Sequence, residues 1–166
     1  MAAMPMPNKS LASKSVLHAL QGQFPNVHFY AGTMFRWSPQ TNRVEYVNTL
    51  LSTDRGQWAL IHEASHAVLG HTDYLSDFEL LTMEVAAWEK AKELGKALGA
   101  RINEDHIQNC LDTYRDWLHR RSTCPTCGSV SLQQDSKTYH CHNCLATWHV
   151  TAERFCRPYR RIQTSS

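Results

Sequence analysis

The chain lacks any apolar run long enough to cross a bilayer, and the stretch from Met1 to Pro7 offers no apolar core for an export signal. It also lacks internal repeats and low-complexity tracts, so a repeat architecture is not expected. Strong net charge is missing too, at +2 for 166 residues. These absences predict a soluble chain in the cytoplasm, in a compartment that keeps thiols reduced. With 42% hydrophobic residues, the chain can bury one modest core plus a small metal-stapled appendage.

What is present begins with His62-Glu63-Ala64-Ser65-His66, an HExxH pattern. Gln57 to Ile61 lead into it and Ala67 to Gly70 lead out, a helical pattern with no proline and no interior glycine. Asp54 suits the start and Gly70 the end. Residues four apart on a helix differ by about 40° in azimuth and about 6 Å along the axis, so both imidazoles can grip one zinc. Glu63 then sits where a carboxylate can take a proton from water activated by that metal. Trp58, His62, His66 and Leu69 share a stripe, which turns both imidazoles inward. A histidine pair packed into a core is the plain alternative.

Catalytic zinc needs a third protein ligand and an open position. Ser76 and Glu79 form a capping-box pattern opening a helix that runs to about Leu98, which gives Glu79 an ordinary structural task. Glu84 instead shares a face with Leu81, Val85 and Trp88, where an unpaired carboxylate is costly. Glu84 is therefore the favoured third ligand, with Glu79, Asp73 and His71 as alternatives. His71 and Tyr74, in the loop after the first of these helices, are the candidates for stabilising a developing oxyanion.

The run from His62 to His71, followed by Met83-Glu84-Val85-Ala86-Ala87-Trp88, resembles the ImmA/IrrE type of zinc metallo-endopeptidase, a gluzincin-like group, over about residues 25 to 98. The resemblance implies a small zincin fold with a mixed sheet flanked by helices, His62, His66 and Glu84 as ligands, and Glu63 as general base. It also implies a protein or peptide substrate, in some members of that group a regulatory protein such as a transcriptional repressor. Val85 and Ala87 depart from the acidic, Ala- and Asn-containing signature common on the second helix of that family.

A second signal is Cys124-Pro125-Thr126-Cys127 with Cys141-His142-Asn143-Cys144, two CxxC knuckles matching a tetrahedral structural zinc site. Gly128 provides the turn, and Val130 to Gln133 and Thr138 to His140 alternate as short strands, giving a zinc ribbon of about thirty residues. Four thiolates fill the coordination sphere, so this zinc stabilises rather than catalyses. Disulfides are the competing reading. Cys110 and Cys156 are left as ordinary thiols.

The expected fold class is α+β: a disordered 1–9, a zincin-like domain over 10–121 and a zinc ribbon with a basic tail over 122–166. Leu11 to Leu20 reads as a helix with Leu11, Leu17 and Leu20 inward. Val27 to Trp37 and Arg43 to Asn48 read as strands joined by a turn-rich connection, and a further helix begins near Asn103 and ends at His119-Arg120-Arg121. The strands either offer an edge to an extended substrate or only complete the core.

From His119 onward seven Lys or Arg residues stand against two acids, a surplus of +5, while the preceding residues carry −3. With Tyr139, Trp148, Phe155 and Tyr159 interleaved, this region is suited to nucleic acid, or is a solvated basic face docking a protein. Zinc is the expected cofactor at both sites. Two alternatives stand beside the endopeptidase. SprT-like DNA-associated proteases share the layout, but their third ligand is a downstream histidine and none occurs between His71 and His106. A non-enzymatic zinc-ribbon adaptor would have no need of Glu63.

Overall fold

The structure is a computed structural model that describes residues 9–151 and 161–162, with side chains over 16–151. The expectation for residues 1–8, the side chain of Leu11, Cys156 and the basic and aromatic side chains from Arg154 to Arg161 lie outside this description. The fold is α+β, with four helices and two small sheets among the described residues. No described helix is long and apolar enough to cross a membrane. The described residues divide into two compact units, one of residues 9–72 and 85–104, the other of residues 73–84, 105–151 and 161–162.

The first unit opens with α1 (Lys9–Gln23), which buries Val16 and Leu20. Strands β1 (His28–Ala31), β2 (Arg36–Ser38) and β3 (Arg43–Tyr46) form a mixed sheet in the order β1-β3-β2, with β1 parallel and β2 antiparallel to β3. The stretch from Val27 to Trp37, read as one strand, is therefore two. The break has a local cause: the Glu45 carboxylate on β3 accepts the Thr33 and Met34 amides at 2.7 and 3.3 Å and the Tyr30 hydroxyl at 3.0 Å. Amides taken by a side chain cannot continue the ladder. Gly32 sits over that carboxylate so closely that a Cβ would fall 2.0 Å from its oxygen.

Helix α2 (Asp54–Val68) packs on β2, β3 and α1. Its N-cap is Thr53 rather than Asp54: the Thr53 hydroxyl accepts the Gly56 amide at 3.0 Å, and Asp54 occupies the first turn, where the helix dipole favours an acid. Helix α3 (Asp77–Ala97) is continuous across the division between the units, which falls between Glu84 and Val85. Within the first unit it buries Ala87, Trp88, Ala91 and Leu94, and Trp88 stacks on His62 of α2. Val85, expected on that stripe, is exposed, as is Leu69 on α2.

The second unit contains α4 (Glu104–Ser122) from Asp105 onward, the helix beginning directly after Asn103, and the four-stranded antiparallel sheet β4-β5-β6-β7. Its strands are β4 (Leu132–Asp135), β5 (Thr138–His140), β6 (Thr147–His149) and β7 (Arg161–Ile162), two more than the sequence suggested. Asp77 organises this unit. Its buried carboxylate receives Arg121 in a bidentate pair, at 2.6 and 3.1 Å, and the Tyr139 hydroxyl at 2.6 Å. Arg121 also stacks over the Trp117 ring, and its carbonyl accepts the Trp148 indole N–H at 2.9 Å.

Candidate metal centres

The first group is set up by the way α2 ends. Gly70 adopts φ +65°, and the His71 amide reaches back to the His66 carbonyl at 3.0 Å, a Schellman closure that only a residue tolerant of positive φ allows cheaply. His62 and His66, one turn apart on the buried face, are 7% and 8% exposed. The His62 ring stacks on Trp88 of α3 with centroids 4.0 Å apart, which fixes its plane. The Nε2 atoms of His62 and His66 then converge to 3.2 Å.

Glu84 is 3% exposed, and one donor atom each from His62, His66 and Glu84 lie within 4.8 Å of one another. Tetrahedral coordination with metal–nitrogen bonds of about 2.0–2.1 Å places donor nitrogens about 3.3 Å apart. The imidazole spacing matches that value. Two imidazoles and a carboxylate are also the donor chemistry of a divalent first-row metal, so the residues present fit one.

Glu63 follows His62 on α2. It is half-buried, and its Oε2 accepts the backbone N–H of Trp37 on β2 at 2.7 Å. His71 is not one of the donor group. Its Nδ1 lies 2.8 Å from the Nδ1 of His66, on the far side of that ring from His62, and its carbonyl accepts the Trp37 indole N–H at 2.7 Å. Glu79 behaves as a cap: it accepts the Leu75 amide at 2.7 Å, and its own amide bonds the Ser76 hydroxyl at 3.1 Å. Asp73 and Tyr74 lie exposed between the two helices. Trp37 was not singled out from the sequence. Its role depends on a strand edge lying against α2, and a lone tryptophan in a strand carries no signal of that.

The second group is Cys124, Cys127, Cys141 and Cys144. Sulfur separations are 3.5 Å for Cys124 with Cys144 and 3.6 Å for Cys127 with Cys141, far beyond the roughly 2.05 Å of a disulfide. The thiols are free, which overturns the disulfide reading. Metal–sulfur bonds of about 2.3 Å in a tetrahedron set sulfurs about 3.8 Å apart, close to these values. The two knuckles are built alike: each closes with an amide returning to the carbonyl of its first cysteine, Gly128 to Cys124 at 3.0 Å and Leu145 to Cys141 at 2.9 Å. Gly128 and Leu145 both take positive φ, 76° and 61°.

Ionisation of Cys127, Cys141 and Cys144 is staggered. The Asn143 amide and the Ser129 hydroxyl favour the Cys127 thiolate and bring it to about 5. Cys141 is lowered, first by the Cys144 amide. At Cys144 the Ala146 amide favours the thiolate, yet desolvation and the neighbouring cysteines outweigh it and push the group up to about 12. Four thiolates so close together ionise fully only around a cation. The fit is thus chemical as well as geometric. No family model, curated protein or solved structure matches this chain.

Proposed function

We propose that the chain is a zinc-dependent endopeptidase, with catalytic zinc held by His62, His66 and Glu84 and a second, structural zinc held by the four cysteines of a zinc ribbon. The observation that carries the reading is the convergence of two imidazole Nε2 atoms to 3.2 Å beside a buried carboxylate, with Glu63 one residue from the first of them. The mixed sheet against α2 supports a zincin-like fold for the first unit, in keeping with the ImmA/IrrE resemblance.

Bound zinc would supply Lewis acidity, acidifying water and polarising the scissile carbonyl. The chain's own residues do the rest. Glu63 takes the proton from the attacking water and passes it to the leaving amine, so the acid and base steps share one carboxylate. The Trp37 N–H occupies one oxygen of Glu63 and holds the carboxylate in one rotamer. His62 is kept flat by Trp88, and His66 is held at its outer nitrogen by His71. The substrate is a protein or peptide, and a reducing compartment such as the cytoplasm suits the thiol site.

Replacing Glu63 by Gln tests the reading. Cleavage of an unstructured peptide library, read by mass spectrometry, should fall by about 10²–10⁴-fold while metal content stays at the wild-type level. Full cleavage by the variant removes Glu63 as the base. Absence of cleavage by the wild type at full metal content favours a zinc-ribbon adaptor instead.

A further inference from the structure

We propose that Trp37 and His71 are positioning residues that set the tautomer of His66, and so decide whether its inner nitrogen can ligate a divalent cation. This role rests on the metal-site reading above, whereas the relay itself consists of hydrogen bonds within the first unit. Both backbone groups of His71 are tied. Its amide bonds the His66 carbonyl at 3.0 Å, and its carbonyl accepts the Trp37 indole N–H at 2.7 Å. With the residue pinned at both ends, its ring meets His66 in a tilted edge arrangement, centroids 4.9 Å apart, with the two Nδ1 atoms at 2.8 Å.

Between two neutral rings, one proton serves that contact. If His66 donates it, the proton resides on His66 Nδ1 and leaves a lone pair on Nε2, aimed at the point it shares with His62 Nε2. If His71 donates it, the remaining proton of His66 sits on Nε2 and blocks ligation. Free imidazole side chains in water prefer the proton on Nε2, so the ligand form of His66 needs an acceptor at Nδ1 to stabilise it. His71 is that acceptor, in the manner of the hydrogen-bonded partners that orient metal-bound histidines. Trp37 has a second tie to the site, since its backbone N–H holds Glu63 at 2.7 Å. One residue of β2 therefore positions both the carboxylate and, through His71, a ligand of the same helix.

The test is imidazole ¹⁵N spectroscopy of the full chain, labelled at histidine, at a pH where the rings are neutral. The expected wild-type pattern is His66 protonated at Nδ1 and His71 protonated at Nε2. His71→Ala should move the His66 proton towards Nε2, and His71→Asn, whose amide oxygen can accept at a similar position, should restore it. Trp37→Phe removes the indole N–H but keeps the backbone bond to Glu63, and should give an intermediate shift. Cobalt(II) is then titrated in, and its affinity for the His62/His66 pair should fall about 10–100-fold in His71→Ala and recover in His71→Asn. A wild-type His66 protonated at Nε2, or one that keeps Nδ1–H in His71→Ala, would overturn the proposal. The expected tautomers with no cobalt-induced change at His62 and His66 would uphold the relay and overturn the metal-site reading, so the two failures are distinguishable.

Discussion

Single residues in this protein carry roles that their neighbours cannot share. Glu84 is one: a buried carboxylate grouped with two imidazoles on α2. Glu84→Ala should lower metal content by one equivalent per chain, read by elemental mass spectrometry on protein purified without added metal, with the cysteine site still loaded. Unchanged content would remove Glu84 from the ligand set. Leu145 is another. Its φ of 61° lies in the left-handed region, which costs a branched side chain about 1–2 kcal/mol, and at 72% exposure the side chain buries little in return. Leu145→Gly should therefore raise stability by up to about 1 kcal/mol in chemical unfolding, whereas Gly128→Leu at the matching position of the first knuckle should lower it. Sequence spacing exposed the knuckles and put Leu145 where the first has Gly128, but only the structure showed that this leucine takes a positive φ.

Among the elements, α2 shows how capping and close approach set a helix in place. A Cβ at Gly56 would fall 2.0 Å from the carbonyl oxygen of Leu50, a backbone atom that cannot step aside. Gly56→Ala should accordingly destabilise the first unit by about 2–4 kcal/mol despite alanine's better helix propensity, seen as a lower Tm. A neutral or stabilising result would mean that α2 shifts freely against the turn before it. Periodicity placed α2, α3 and α4 close to their observed bounds, because caps and apolar spacing act locally. The first sheet was less legible. Whether Val27 to Trp37 forms one strand or two depends on Glu45, more than ten residues away from the amides it captures.

Across the larger part of the second unit, a buried ion pair and a thiol cluster act together. Asp77 opens α3, Arg121 closes α4, and Tyr139 sits on β5 just ahead of the second knuckle, so one carboxylate joins three segments of that unit. Removing one member leaves the other charge buried, which costs about 3–5 kcal/mol. Asp77→Ala should lose that much in urea unfolding. Tyr139→Phe, which removes a single hydroxyl, should lose about 1–3 kcal/mol. Stripping metal with a strong chelator should unfold the sheet of this unit, followed by reaction of Cys124, Cys127, Cys141 and Cys144 with a thiol reagent, and re-addition of zinc should reverse both. Slow, unchanged thiol reactivity after stripping would show that the sheet stands without metal.

Local chemistry alone determined the HExxH helix, the two knuckles and the Ser76/Glu79 cap, since each needs only neighbours within a few residues on the chain. The same local patterns also named Glu84 as a candidate, through its place among apolar residues. Tertiary structure decided what no spacing contains. It brought Glu84 to the imidazoles, turned His71 onto the outer nitrogen of His66, laid the β2 edge along Glu63 and joined Asp77 to Arg121. These are contacts between side chains and backbone groups on different elements, whose meeting depends on packing and on where each chain segment turns, and neither quantity is written in the period of a helix or the interval between two cysteines.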